Sequence, residues 1–164
     1  MIGNNDTGLY RSMAHDFLQG AIYMNIPQEI RKLIESGTPA HLVTLNKDGS
    51  PQLTLVWIGL DGDDIVAAHL PENRKVKNIR HDPRVVISLQ ANTKSALGLT
   101  EYAVLYGEAQ IEEGGAPELL QRLAEVYIGP GVKFPPMDNP PRGFITRVKV
   151  KRIEGVGPWT GRLV

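Results

Sequence analysis

A chain of 164 residues is long enough for one domain with its own hydrophobic core. The 18 basic and 18 acidic side chains balance, which excludes an overall field that would attract nucleic acid or an anionic membrane. The chain has no cysteine, which excludes a disulfide framework, a thiolate nucleophile and a Cys-ligated zinc, and which suits a reducing cytosol. Because no apolar run approaches the roughly 20 residues that span a bilayer, we expect a soluble, cytoplasmic protein without a membrane or nucleic-acid partner.

The N-terminal third of the chain changes from weak periodicity to a helix and then to strands. Residues 1–24 are polar and are interpreted as an N-terminal extension, with a short helix expected around Met13 to Leu18, and residues 25–164 are interpreted as one domain. Pro27 opens a predicted helix that Gly37 ends. Alternating apolar residues then predict strands at 41–45, 52–60 and 65–70, joined by Asp-Gly turns.

The remainder of the chain is rich in predicted strands. Alternation predicts strands at 84–89, 102–112 and 144–156, and helical spacing predicts an amphipathic helix within 115–129, followed by a Pro/Gly loop at 129–143. Antiparallel sheets remove their edges by closing on themselves. The predicted fold is therefore mainly β (α+β by helix content): a six-stranded antiparallel barrel, closed or nearly closed, with peripheral helices.

The stretch PENRKVKNIRHDPR, residues 71–84, predicts a short helix with an unusual charge distribution. Asn73 is a good N-cap, and Arg74, Lys75 and Lys77 occupy the first turn, where the helix dipole already concentrates positive charge. Arg74 and Lys77 share one helical stripe with Asn78 and His81. This arrangement favours a site for a phosphate or another anion. A solvated polar face is the alternative interpretation, and the pattern alone leaves both open.

Other motifs that could carry chemistry are weak. GVGPWTG at 155–161 has Pro158 after its second glycine and no following helix, which excludes a dinucleotide-binding fingerprint. The four histidines show no metal-ligand spacing, and no serine lies in a nucleophile elbow, so we expect no metal site and name no catalytic residue. Such a protein acts as an enzyme only if a cofactor supplies the chemistry.

Three motifs carry a resemblance to a known family over residues 26–160. They are the hairpin Asp48-Gly49-Ser50-Pro51, the strand ending at Val56-Trp57, and the basic segment from Arg74 to Asn78-Ile79 with Asp82-Pro83-Arg84 after it. With these motifs the chain resembles the pyridoxamine-phosphate-oxidase-like split barrels that bind flavins, and within them the branch that uses the deazaflavin coenzyme F420. The resemblance implies a homodimer with the cofactor in a groove between the two subunits.

The resemblance also implies a set of cofactor-binding residues. Lys75 and Asn78, supported by Arg74 and Lys77, would hold the cofactor phosphate, with Arg80 and Arg84 near the longer anionic tail of F420. The flat ring would lie against two strands, at Gln52, Thr54, Val56, Trp57, Ala67, Ala68 and His69. The small Ala67 and Ala68 would let backbone approach the ring, whereas His69 would either hydrogen-bond the cofactor or fill a strand position.

The function implied is transfer of hydride from reduced F420 to an unsaturated organic acceptor, a small-molecule substrate that the sequence does not name. Two alternatives remain open at this point. One is an FMN-dependent oxidase or reductase on the same barrel, and the other is a non-catalytic split barrel that binds a cofactor or haem.

Overall fold

The computed structural model describes residues 22–160, in which seven strands form one antiparallel sheet and three helices pack against it. The helices are α1 (Gln28–Glu35), α2 (Arg74–His81) and α3 (Ala116–Tyr127). The strands are β1 (Ala40–Leu45), β2 (Pro51–Val56), β3 (Gly59–Asp61), β4 (Asp64–His69), β5 (Arg84–Lys94), β6 (Thr100–Glu113) and β7 (Phe144–Val156). The predicted mainly β class is confirmed, whereas the helix expected around Met13 to Leu18 lies outside the described residues.

The sheet is open, and its order explains how it encloses a core. The order is β2-β1-β5-β6-β7-β4-β3, so β2 and β3 form opposite edges although only residues 57 and 58 separate them in the chain. Because so short a link spans about 10 Å at most, the sheet must curl until its edges approach each other. The edges do not pair, and the result is a split barrel.

The predicted count of six strands is wrong because the continuous strand expected at 52–60 is broken. Trp57 and Ile58 leave the ladder between β2 and β3. The backbone N–H of Ile58 donates instead to the hydroxyl of Tyr127 (3.1 Å), which also lies 3.0 Å from the Ile58 carbonyl oxygen. A side chain 69 residues away therefore replaces a neighbouring strand, and local alternation cannot reveal such a contact.

The core lies inside the curled sheet. Inward-facing side chains from the strands, such as Leu42, Ile87 and Leu105, are buried, and Ile30 and Ile34 of α1 are buried with them. A second, smaller cluster lies outside the barrel, where Leu119 and Leu123 of α3 pack on Val66 of β4. Helix α3 is thereby fixed next to the open edge at which β2 ends.

The chain before α1 also packs on the sheet. The backbone N–H of Met24 donates to the carbonyl of Val150 (2.8 Å), and the hydroxyl of Tyr23 donates to the carboxylate of Glu108 (2.9 Å). Tyr23 and Met24, which the sequence placed in the extension, are thus in contact with β6 and β7.

Candidate functional site

A cavity of about 270 Å³ opens where β2 and β4 end and helix α2 begins. Five of the eleven residues that the sequence singled out meet there: Val56, Trp57, Ala68, His69 and Lys75. Leu55, Leu120 and Phe134 complete the lining. We call this cavity the split pocket, because it lies beside the gap between the two sheet edges.

Helix α2 presents three cations without carboxylate partners. Its N-cap is Asn73, as predicted, whose side chain accepts from the backbone N–H of Val76 (3.3 Å). Within residues 22–160, Arg74, Lys75 and Lys77 form no ion pair. Lys75 is half-buried against the pocket, and burial lowers its pKa, whereas Arg74 and Lys77 are exposed. This end of α2 is therefore available to an anion.

The two more distant arginines are already engaged. Arg80 pairs with Glu72 and, at 2.9 Å, with Glu113. Arg84 pairs with Asp82 at 2.6 Å, and this contact lowers the pKa of Asp82 to about 2. Their charges are neutralised locally, so they add less to an anion site than the sequence suggested.

Asn78 faces inward, away from the exposed cations of its helix. Its side-chain nitrogen lies within hydrogen-bond distance of Thr44 Oγ1 (3.0 Å), Asn46 Oδ1 (3.0 Å) and Gln52 Oε1 (3.2 Å), and the residue is only 5% exposed. Asn78 and Gln52 thus form a polar network that holds α2 against the hairpin of β1 and β2. Neither residue lines the split pocket.

Thr54 and Ala67, the remaining predicted residues, differ in their surroundings. The hydroxyl of Thr54 is buried without a hydrogen-bond partner among residues 22–160, two residues before Val56 on β2. Buried hydroxyls normally have a hydrogen-bond partner, so we expect a ligand or a water molecule to bind this one. Ala67 is buried in the main core, on the opposite face of β4 from Ala68, and does not line the pocket.

His69 is a buried, neutral imidazole at the end of β4. Its Nε2 lies 3.1 Å from Thr146 Oγ1, and the residue is 7% exposed. Burial, assisted by the nearby positive charge of Lys75, lowers the pKa of His69 to about 4. The pocket therefore carries its positive charge on Lys75, while His69 offers hydrogen bonds.

We expect the depressed pKa of His69 to make folding sensitive to mild acid. The unfolded chain binds a proton on this histidine below about pH 6.5, whereas the folded protein does so only near pH 4. The stability from this group is complete above about pH 6.5 and is lost as the pH falls to about 4, on the order of 2–3 kcal/mol. Urea unfolding of wild type and His69→Gln at pH 7 and pH 4.5 measures this, and an equal pH dependence in the two proteins would contradict it.

Sequence reasoning missed the far wall of the pocket. Leu120 lies in the helix predicted within 115–129 and Phe134 in the Pro/Gly loop predicted at 129–143, and neither was singled out as a site residue. A weak signal existed, since Phe134 is one of only three phenylalanines and sits in a polar, Pro-rich segment. Its contact with Trp57, at 5.2 Å between ring centroids, depends on the fold.

A second cavity, of about 430 Å³, lies on the outer face of the sheet. Leu53, Val43, Val86 and Tyr106 form a row across four strands in direct register. Val43, Val86 and Tyr106 line this cavity, and Leu53 at the sheet edge is 61% exposed. We call this row and the adjacent Leu55, which is 60% exposed, the outer apolar face.

The comparisons with known proteins agree with this architecture. The family model for pyridoxamine 5'-phosphate oxidase matches residues 26–157, most of the chain. The chain belongs to the pyridoxamine 5'-phosphate oxidase family. No curated protein gives a significant match to it.

Solved structures of similar fold include proteins with several different names. An F420 reductase is 23% identical with a TM-score of 0.64, over 79% of this chain and 98% of that one. Rv2991 from Mycobacterium tuberculosis is 25% identical with a TM-score of 0.62, over 81% and 85% of the two chains. HupZ from Group A Streptococcus is 20% identical with a TM-score of 0.56, over 80% and 94%. At these identities the structures establish a shared fold, the split barrel.

The split pocket of this pyridoxamine 5'-phosphate oxidase family member fits a flat cofactor with an anionic side chain. Lys75 supplies a positive charge, Ala68 leaves room for close approach, and the Thr54 hydroxyl has no partner within the described segment. Membership of this family supports a flavin-type cofactor in this role. Within residues 22–160, no cluster of His, Asp or Glu could hold a metal ion, and no helix has the length and hydropathy to cross a membrane.

Proposed function

We propose that this protein is an oxidoreductase that uses reduced F420 to reduce an unsaturated organic acceptor. The observation that carries the proposal is the split pocket itself, where Lys75, which forms no ion pair with any described residue, lies beside small and aromatic side chains. When bound, the coenzyme supplies the hydride. The protein binds and orients it.

Each side chain has a physical role in this proposal. Lys75, Arg74 and Lys77 attract the anionic side chain of the coenzyme at the N-terminus of α2. Val56 and Trp57 exclude water from the ring, and Ala68 allows the ring to approach the backbone. With its pKa lowered to about 4, His69 is neutral at neutral pH and orients the cofactor by hydrogen bonding, without serving as a charged acid.

FMN is the second candidate cofactor, and one observation favours it. Because Arg80 and Arg84 are paired with carboxylates, the unpaired cations on α2 suffice for one phosphate without implying a longer anionic tail. The test is a parallel titration of ligand-free protein with F420 and FMN at physiological salt, followed by fluorescence. Much tighter F420 binding supports the proposal, tighter FMN binding replaces the cofactor, and binding of neither overturns both.

A non-catalytic role makes a different prediction in the same system. A storage or sequestering protein would bind its cofactor tightly, yet the reduced cofactor would persist with every acceptor in a broad screen. Turnover with any conjugated acceptor would exclude this role.

The cytoplasmic location stays a prediction that rests on the cysteine-free sequence.

We also propose that the protein is a homodimer in which a second copy covers the outer apolar face. Monomers rarely expose contiguous apolar patches, and here the partly buried row ends at Leu53 and Leu55, which are both more than half exposed on an unpaired sheet edge. Leu55 lines the split pocket as well, so the face and the pocket are continuous. A partner seated there would help to close the cofactor site.

Leu53→Asp is expected to weaken self-association by about a hundredfold or more, because it buries an unpaired carboxylate in the interface. Sedimentation equilibrium measures the dissociation constant. Leu97→Asp is the matched control, since Leu97 is 75% exposed in the turn between β5 and β6. A wild-type monomer, or equal effects of the two variants, would contradict the proposed interface.

A further inference from the structure

Three aromatic side chains are in contact beside the split pocket, and two of them line it. Trp57 stacks on Tyr127 with ring centroids 5.3 Å apart and planes 12° apart, and Phe134 meets Trp57 at 5.2 Å and 53°. Trp57 and Phe134 line the pocket together with Leu120. We call Trp57, Phe134 and Leu120 the aromatic wall. It faces a pocket that also contains Lys75 and His69.

Each ring is held by contacts that fix its position. Tyr127 is anchored by its hydroxyl, which lies 3.0 Å from the Ile58 carbonyl oxygen and 3.2 Å from that of Thr38. Phe134 lies in the loop between α3 and β7, where the sequence predicts no regular structure. Two hydrogen bonds from one side chain hold this loop segment.

That side chain is Gln121, on the second turn of α3. Its Nε2 donates to the carbonyl of Val132 (2.8 Å), and its Oε1 accepts from the backbone N–H of Phe134 (2.8 Å). One side-chain amide thus pairs with the two backbone groups on either side of Lys133, the carbonyl of Val132 and the N–H of Phe134. An amide can make this pair of bonds, whereas a carboxylate lacks the donor and an aliphatic side chain lacks both.

We propose that the aromatic wall is the binding surface for the acceptor, that the acceptor is a flat, conjugated, uncharged or anionic organic molecule, and that Gln121 is the residue that positions the wall. A fixed aromatic face selects flat molecules by stacking, and it gains most when the rings are held before the ligand arrives. The positive charge of Lys75 disfavours cationic acceptors. This inference rests on the proposed function and names the substrate class of the same site.

The experiment uses menadione as a flat conjugated probe and a decalone as a saturated probe of similar size. Both are titrated calorimetrically into full-length protein. Trp57 fluorescence is followed in a Trp159→Phe background, where Trp57 is the only tryptophan. We expect menadione to bind and to change Trp57 emission, and decalone to bind at least about tenfold more weakly.

Phe134→Ala and Gln121→Ala are the test variants. We expect each to raise the dissociation constant of menadione about tenfold, and to raise the dissociation constants of F420 and FMN by a clearly smaller factor, because Lys75 and the end of α2 still hold the cofactor. Glu125→Ala is the control, because Glu125 is exposed one turn further along α3. It should match wild type, and thermal unfolding of all variants identifies any general loss of structure.

The outcomes separate this inference from the proposed function. Unchanged menadione affinity in Phe134→Ala, or equal binding of decalone and menadione, overturns the aromatic wall even where F420 binds. A loss of cofactor affinity with unchanged menadione affinity assigns the wall to the cofactor and also overturns the inference. Binding of menadione that depends on Phe134, in a protein that binds neither F420 nor FMN, supports the wall and overturns the proposed function.

Discussion

Lys75→Met is expected to weaken cofactor binding between about 10-fold and 100-fold, because a charge-assisted contact at a half-buried site contributes roughly 1.5–3 kcal/mol. Methionine keeps the length of the side chain and removes its charge. Lys75 is the cation that lines the split pocket, and it has no carboxylate partner among the described residues. Fluorescence titration with F420 and FMN measures the change.

Salt and pH distinguish Lys75 from its exposed neighbours. The double variant Arg74→Gln and Lys77→Gln should lose affinity mainly at low salt, because exposed charges are screened, whereas the loss in Lys75→Met should persist at high salt. Burial lowers the pKa of Lys75, so its side chain loses its charge at a lower pH than an ordinary lysine does. The affinity of the wild type for the cofactor should therefore begin to decline at a correspondingly lower pH. Lys94→Met, at an exposed position at the end of β5, is the charge-matched control. Equal affinity of wild type and Lys75→Met at every salt concentration would remove Lys75 from the site.

Asn78→Leu is expected to cost about 2–4 kcal/mol of folding free energy, because it removes the shared donor of a buried polar network. Thr44 and Gln52 would be left with a single long contact of 3.4 Å between their side-chain oxygens. Since this network joins α2 to the hairpin of β1 and β2, cofactor affinity should fall as well. Urea unfolding of the ligand-free protein gives the first quantity, and titration gives the second.

Thr54→Val is the matched control for the effect on stability. The Thr54 hydroxyl has no hydrogen-bond partner in the part of the chain that the structure describes, so replacing it with a methyl group should leave the stability of the ligand-free protein unchanged or raise it. Affinity for the cofactor should nevertheless fall if this hydroxyl contacts it. A loss of stability in Thr54→Val similar to that in Asn78→Leu would show that burial on β2, and not hydrogen bonding, sets the cost.

Local patterns predicted the elements whose causes are local. The N-cap at Asn73, the helix end near Gly37 and the Asp-Gly hairpins each depend on residues that are neighbours in the chain. The hairpin of β5 and β6 extends further than predicted, to Lys94 and from Thr100. The residues at this end of the hairpin are polar or small, so the alternation of apolar and polar side chains there was too weak to predict a strand.

Contacts between distant segments explain what sequence reasoning did not find. The break at Trp57 and Ile58 depends on Tyr127, and the neutralisation of Arg80 depends in part on Glu113, which is 33 residues away. Phe134 reaches the pocket because Gln121 holds its loop. The half of the site formed by β2, β4 and α2 could be predicted from motifs, whereas the half formed by α3 and the following loop required the fold.

The hydroxyl of Tyr127 sits where the two edges of the sheet approach each other without pairing. Elsewhere neighbouring strands of the barrel wall are joined by backbone ladders, each interrupted by at most one bulge, and a ladder opens only when several hydrogen bonds break together. At the seam, one phenol bonded to Ile58 takes the place of a ladder. The barrel wall is therefore weakest beside the split pocket, where a small local opening would admit a ligand. We expect the fastest amide hydrogen exchange of the barrel at β2 and β3.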